Sequence, residues 1–442
     1  MARLFGTDGI RGRAGEDLTA DLARGLGAAA VAVFGRHGEG HPAIVVGRDP
    51  RASGEWLEAA LVRGITDAGG DALLAGIEPT PAIAFLTTDL GASSGVVISA
   101  SHNPPEDNGI KFFSRAGTKL PDAIEDEIEA ALDDPVTDAP RGSVRELSEE
   151  GRERYLAHLV ACAAAPLDGM RIVVDCANGA ASWIAPDLLR RLGAHVMPIH
   201  AEPDGTNIND GSGALHPEVV AAEVVRRGAE AGLTLDGDAD RALFADALGD
   251  VIDGDQVLAA CAVAMHLDGT LEGDTVVGTV MSNLGLLRAM EREGIRVIQA
   301  PVGDRYVLEE MEASGAVLGG EQSGHVIFRR QATTGDGLLT AVRFLSLAAG
   351  SGRDVRSLAG VMRRYPQVML NVRVHDREAL AGAGPVWEAV SGAEGELDGR
   401  GRVLVRASGT EALVRVMVEA ETEDEASAHA ASIADVVRAE LA

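Results

Sequence analysis

Short apolar runs, largely β-branched, recur along this chain, and most are followed by a break and then by ten or more residues of helical period. Residues 43–46, 73–75 and 96–99 are the first three such runs, and helical segments span 18–34, 53–68 and 79–90. A run that is apolar throughout reads as a strand buried on both faces. Strands alternating with helices build a mostly parallel sheet. After a polar, proline-containing stretch (114–150, with a short helix at 122–132), the pattern restarts at 171–175 and again with the helix 256–266 and strand 275–280. The last segment differs, with strands at 368–374, 401–407 and 413–421 and then a helix at 424–441. The expected fold is α/β, with three similar mixed or parallel-sheet α/β domains and a smaller α+β C-terminal domain. The boundaries fall at 1–150, 151–250, 251–365 and 366–442. The three units share architecture without clear sequence identity.

The stretch 95–113, GVVISASHNPPEDNGIKFF, carries the first chemical signal. Its strand runs into Ser99-Ala100-Ser101-His102-Asn103, and Pro104-Pro105 forces a turn. Loops at the carboxyl ends of strands are where open α/β sheets place ligands. Asn108-Gly109 reads as a second turn, after which residues 110–113 return as a strand and bring Lys111 beside the serine loop. Only Lys111 and Lys119 are lysines among 39 Lys plus Arg. Lysine is the cation whose proton moves most readily.

A net charge of −29 argues against a nucleic-acid partner, because phosphate backbones require a cationic surface. No apolar run approaches the ~20 residues of a membrane span, and the first residues lack a signal-peptide core. A cytoplasmic protein is expected. Cys162, Cys176 and Cys261 are odd in number and widely spaced, so buried reduced thiols are expected.

Four further segments concentrate chemistry. Residues 5–12, FGTDGIRG, place Asp8 and Arg11 among three glycines, which suits close approach of backbone to a ligand. Asp236, Asp238 and Asp240 alternate after a strand, with Arg241 next, and could converge on one hard cation such as Mg²⁺. GGEQSGH at 319–325 sets Glu321, Ser323 and His325 between glycines, a set able to hydrogen-bond sugar hydroxyls. Arg406, Ser408, Gly409 and Thr410, with Arg415 beyond, have the composition of a phosphate nest. Taken singly, these residues leave rivals open. D-x-D could serve an aspartyl phosphatase, and a non-catalytic sugar-phosphate binder would need neither Lys111 nor the acidic loop. A serine hydrolase would need Ser101 and His102 to meet, whereas neighbours on an extended loop point apart and Ser101 does not stand in a G-x-S-x-G elbow.

These segments, in this order and across the whole chain, resemble the motifs of the α-D-phosphohexomutase superfamily. SASHNP is similar to its phosphoserine loop, DGDADR to its metal loop D-G-D-G-D-R with Ala239 in a glycine position, GEQSGH to its sugar loop, and RASGTE to its phosphate loop with Ala412 in a proline position. FGTDGIRG, DCANGA, TVMSNLGL and VGDRYVLEEM most resemble the phosphoglucosamine mutase branch. The resemblance implies four domains around a central cleft and interconversion of glucosamine 6-phosphate and glucosamine 1-phosphate through a phosphoserine and a 1,6-bisphosphate, feeding amino-sugar nucleotide synthesis. A phosphomannomutase or phosphoglucomutase is the alternative. It further implies that Ser101 carries the phosphoryl group and that Ser101, Asp236, Asp238 and Asp240 bind one Mg²⁺. Lys111, Arg11 and His325 would assist catalysis. Arg241, Glu321, Ser323, Arg406, Ser408, Gly409, Thr410 and Arg415 would bind the phosphosugar. It allows a homodimer.

Overall fold

The computed structural model describes residues 3–6, 8–38, 40–132, 140–408 and 412–442. They fall into two compact units, one drawn from Met1–Met281 and Ile295–Gly360, the other from Ser282–Gly294 and Val361–Ala442.

The first unit holds three sheets. Its six-stranded sheet runs in the order Ile10–Arg13, Asp107–Ser114, Ser94–Ile98, Ala43–Arg48, Asp71–Ile77, Val144–Glu146. The last four are mutually parallel, and Asp107–Ser114 runs antiparallel to both of its neighbours. Both faces are buried. Ile44, Val46, Val96 and Ile98 pack against the helices Ala20–Arg36 and Ala52–Asp67, while Val45 and Val97 pack with Ile83 and Leu86 of the helix Thr80–Asp89. Continuous apolar strands are the consequence of covering both faces. Helix starts follow local chemistry. Thr19 accepts the Leu22 amide ahead of Ala20–Arg36, and Asp253 with Gln256 closes a capping box on Gly254–Leu267.

The second sheet has the order Val251–Ile252, Ala242–Asp246, Ala231–Leu235, Arg171–Asp175, His195–Ile199, and the third Arg296–Ala300, Thr275–Thr279, Leu318–Gly320, Val326–Phe328. Each mixes parallel pairs with an antiparallel hairpin. In the second unit, Gln367–Arg373, Leu413–Glu419 and Arg402–Ala407 form an antiparallel three-stranded sheet. The helices Gly384–Leu397 and Glu423–Leu441 contribute to its apolar core.

Two sequence expectations change. Asn108-Gly109 is not a turn but lies inside the strand Asp107–Ser114, paired with Gly12 and Arg11. Glycine is needed there for proximity, since a Cβ on Gly109 would stand 2.6 Å from the Ser99 carbonyl oxygen. The polar stretch 114–150 is also not all linker beyond its helix Asp122–Ala130. Val144–Glu146 adds an edge strand to the first sheet, and Ser148–Ala161 begins a helix. Among the described residues no helix is long and apolar enough to cross a membrane.

Candidate active site

Ser101 follows the strand Ser94–Ile98 and takes a left-handed backbone, φ +50°. Four groups hold it there. The Ser101 amide donates to Ser99 Oγ at 3.0 Å, and the Ser99 hydroxyl donates to Asp49 Oδ2 at 2.5 Å. Its carbonyl accepts from Arg51 Nη2 at 3.0 Å and from Asn209 Nδ2 at 2.9 Å. The Arg51 guanidinium, 1 % exposed, also donates to the carbonyls of Asn103, Pro104 and Asp107 and to Asp49. One buried cation therefore gathers the carbonyls that the two prolines leave without ladder partners.

So held, the Ser101 hydroxyl donates to Asp236 Oδ2 at 2.7 Å and lies 3.1 Å from His102 Nδ1. The two neighbouring side chains meet because Ser101 is left-handed, contrary to the expectation for an extended loop. Burial, with Arg241 and Arg11 nearby, pulls the His102 imidazole down to about 4, so it is neutral near pH 7.

Asp236, Asp238 and Asp240 sit in the hairpin between Ala231–Leu235 and Ala242–Asp246, and each offers an oxygen within 4.8 Å of the others. Ala239 stands at φ +57°, keeping the left-handed turn of a glycine at a cost of about 1–2 kcal/mol. Gly237 lies against the serine loop, where a Cβ would meet the Ser101 carbonyl at 2.6 Å. Each carboxylate has one oxygen engaged from another part of the chain. Asp236 Oδ2 takes the Ser101 hydroxyl, Asp238 Oδ2 takes the Thr80 hydroxyl at 2.6 Å, and Asp240 Oδ2 lies 3.5 Å from His325 Nδ1. Asp238 Oδ1 and Asp240 Oδ1 are buried with no hydrogen-bond partner. Burial first, then mutual repulsion, pushes Asp236 well above the usual carboxylate range and Asp238 up to about 6. Three crowded carboxylates with orphaned oxygens and an all-oxygen donor set suit a hard divalent cation.

Lys111 points from the strand Asp107–Ser114 to Asp8 Oδ1 at 2.6 Å and Asp304 Oδ2 at 3.6 Å. Burial alone would lower its pKa, but Asp8, Asp304 and Asp240 outweigh it and hold the ammonium firmly protonated. Asp8, against its own burial, is kept well below the usual range by Lys111 and Arg11, and it also pairs with Arg11. His325 Nε2 accepts the Gly335 amide at 3.1 Å, which places the ring proton on Nδ1, facing Asp240. Glu321 Oε1 accepts the Gly303 amide at 3.0 Å, and the Ser323 hydroxyl is buried without a partner.

A cavity of about 450 Å³ is lined by Asp8, Arg11, Ser101, Arg241, Glu321 and His325, among others. The structure thus gathers in one place residues that the sequence scatters over more than three hundred positions. Lys111, Ser323, Asp236 and Asp238 do not line that cavity. In the second unit, Arg406 and Arg415 face each other across paired strands. Burial and then Arg415 lower the Arg406 pKa, and Arg406 Nε is buried with no hydrogen-bond partner among the described residues. Ser408 is buried beside them. Two adjacent guanidiniums favour an anion. Gly409 and Thr410 lie outside the described residues.

Sequence reasoning missed Thr80, Asp49, Arg51, Asn209 and Gly335. Asp49 and Arg51 follow the strand Ala43–Arg48 at its carboxyl end, and that position was the available signal. Thr80 and Asn209 gave none, since their partners lie more than a hundred residues away.

Comparison with known proteins agrees with this geometry. Phosphoglucomutase/phosphomannomutase alpha/beta/alpha domains I, II and III match residues 2–137, 153–249 and 253–365, and the family's C-terminal domain matches 369–436. A phosphoglucosamine mutase of Streptomyces griseus is 53% identical over 452 residues, covering 100% of both chains, and one of Acidothermus cellulolyticus is 55% identical over 445 residues, covering 99% of this chain and 96% of the other. Among solved structures, a phosphoglucomutase/phosphomannomutase family protein of Burkholderia thailandensis superposes with a TM-score of 0.84 at 25% identity, over 99% of this chain and 97% of that one. An Aspergillus fumigatus N-acetylphosphoglucosamine mutase, solved with GlcNAc-6P and magnesium, shares the fold at a TM-score of 0.72 and 17% identity, over 99% and 95% of the chains. Full-length identity above half, four domain matches in order and a serine bonded to a carboxylate triad lead to one assignment: this chain belongs to the phosphoglucomutase/phosphomannomutase family, in the branch of the phosphoglucosamine mutases.

Proposed function

We propose that this chain interconverts glucosamine 6-phosphate and glucosamine 1-phosphate through a phosphoserine at Ser101. The observation that carries the reading is the Ser101 hydroxyl, buried against Asp236 at the wall of a polar cavity, in a chain alike end to end with named phosphoglucosamine mutases.

In the proposed cycle a sugar hydroxyl attacks phosphorus as the Ser101 Oγ–P bond breaks. The proton lost by the sugar hydroxyl ends on the departing serine oxygen, and glucosamine 1,6-bisphosphate results. After the sugar reorients, Ser101 takes the other phosphoryl group by the reverse step. Lys111, already an ammonium, is our candidate for that proton transfer, with Arg11 and Arg241 balancing phosphate charge. His325, 3.5 Å from Asp240 Oδ2, is our candidate for assisting through that carboxylate. Glu321 and Ser323 are acceptors for sugar hydroxyls. Arg406, Ser408, Gly409, Thr410 and Arg415 are our candidates for holding the phosphate that does not react. That anchor must serve either end of the substrate.

Asp236, Asp238 and Asp240, with an oxygen on Ser101, would hold the cation, for which Mg²⁺ is our assignment. When bound it supplies a Lewis acid that draws charge from the phosphoryl oxygens.

Phosphorus NMR tests the proposal. Purified protein is given glucosamine 6-phosphate, Mg²⁺ and a trace of the bisphosphate, with mannose and glucose 6-phosphates in parallel. The 1-phosphate should appear fastest from the amino sugar, and Ser101→Ala should abolish it. Faster turnover of mannose or glucose phosphate would reassign the substrate. Free phosphate as the sole product, or no reaction, would overturn the mutase.

A further inference from the structure

We propose that Thr80 is a positioning residue for the metal-binding carboxylates, selecting which oxygen of Asp238 faces the cation. The inference rests on the reading that the triad holds a divalent ion.

Thr80 is 1 % exposed and is the first residue of the helix Thr80–Asp89. Its amide donates to the Asp238 carbonyl at 3.0 Å, and its hydroxyl donates to Asp238 Oδ2 at 2.6 Å. The two contacts do different work. The amide bond fixes the backbone of the acidic loop and needs no particular side chain. The hydroxyl bond acts on the carboxylate alone. A carboxylate turns freely about its last torsion unless one oxygen is held. With Oδ2 held by Thr80, Oδ1 is the oxygen left buried and without a hydrogen bond among the described residues.

Asp236 and Asp240 are held in the same manner, by Ser101 and His325, but the three holders are not equivalent. Ser101 Oγ gives up its hydroxyl proton whenever it carries the phosphoryl group, so its bond to Asp236 exists for only part of the cycle. Thr80 takes no part in bond making. Its hydrogen bond is therefore available in both the phosphorylated and the dephosphorylated enzyme. Partners of this kind around a metal ligand contribute about 10–100-fold in metal affinity.

The test uses the dephosphorylated full-length protein and Mn²⁺ as the probe, with free Mn²⁺ counted by electron paramagnetic resonance. Thr80→Val keeps the amide bond and the β-branched shape while deleting the hydroxyl, and Thr80→Ser restores the hydroxyl. Thr80→Val should weaken Mn²⁺ binding about 10–100-fold, and Thr80→Ser should bind within about threefold of the parent. Thr80→Ala stands in if the valine variant does not fold. Parent-like Mn²⁺ affinity in Thr80→Val or Thr80→Ala, or a serine variant as weak as the valine, would overturn the inference while leaving the metal site intact. Absence of Mn²⁺ binding by the parent itself would overturn the metal reading and this inference with it.

Discussion

Replacing Arg51 with methionine isolates what holds the serine loop. The guanidinium is fully buried, bonded to Asp49 at 2.9 Å and to four carbonyls between Ser101 and Asp107. Methionine fills similar space without charge or donors. The variant leaves Asp49, itself 0 % exposed, as a buried carboxylate that has lost its charged partner Arg51. Breaking a buried pair by removing one partner costs about 3–5 kcal/mol. Since 1.4 kcal/mol is a factor of ten, the loop should open roughly two to three and a half orders of magnitude more often. The two compact units make a single unfolding free energy ill-defined, so a local observable is needed.

Hydrogen exchange of the peptide covering residues 99–109 provides it. The Ser101, Asn103 and Asp107 amides each donate within this loop, to Ser99 Oγ and to the Ala100 and Pro104 carbonyls, and all should exchange faster in Arg51→Met by that factor. The control is Asp49→Asn in the same background. If the isolated carboxylate causes most of the loss, the double variant should recover at least about tenfold of the protection, because charge and counter-charge are then both removed. Unchanged exchange in Arg51→Met, or a double variant as labile as the single, would refute the reasoning.

Four other outcomes follow. Glu78 is buried and, chiefly by that burial, raised from 4.5 to about 7, with Arg152 opposing. The folded state thus keeps a proton the unfolded chain has lost, so stability is full below about pH 4.5 and falls as pH rises through 7, by about 3 kcal/mol at most. Glu78→Gln should flatten Tm between pH 5 and 8, and an unchanged slope would reject this source. Gly335→Ala places a Cβ 2.3 Å from His325 Nε2, so the ring must leave Asp240. Mn²⁺ affinity and turnover should fall about 10–100-fold, and parent-like values of both would show the ring is not seated as described. Mg²⁺ at a hundred times its Kd should stabilise the fold by about 2.7 kcal/mol, read as a rise in Tm that EDTA reverses and Asp238→Asn diminishes. A Mg²⁺-independent Tm would count against the acidic triad as its site. Arg406→Ala should raise KM for the sugar phosphate more than it lowers kcat if, as proposed, Arg406 anchors the phosphate that does not react; the opposite split would remove Arg406 from that role.

What the chain reveals about itself divides along a physical line. Buried strands were legible because covering both faces of a sheet leaves a continuous apolar record, as at 43–46, 171–175 and 275–280. Elements whose register depends on a distant partner were not. Ile10–Arg13 exists as a strand only because Asp107–Ser114 lies beside it, and Asn108-Gly109 looks like a turn until that pairing is known. The site divides likewise. Ser101, the three aspartates, Glu321 and His325 stand in compact motifs, each motif a single loop shaped by local glycines and turns. Thr80, Arg51 and Asn209 act from isolated positions, and each matters through a hydrogen bond to a loop it does not belong to.

That division also explains how the acidic loop can be both crowded and ordered. Three carboxylates within 4.8 Å repel one another, and nothing in the local D-x-D-x-D spacing decides how their oxygens turn. The decision comes from outside the loop, since Ser101 and Thr80 reach it across 135 and 158 residues, and His325 from the sugar-loop motif. Each carboxylate then has one oxygen turned toward the protein, and among the described residues two of the opposing oxygens, on Asp238 and Asp240, are buried without a hydrogen bond, with Arg241 Nε 3.8 Å from the Asp240 oxygen. A cluster poised in this way is costly without a cation and complementary with one. The proposed fit to a metal is therefore built by the tertiary contacts as much as by the acidic motif. Deleting a contact outside the loop should weaken binding even with all three aspartates intact.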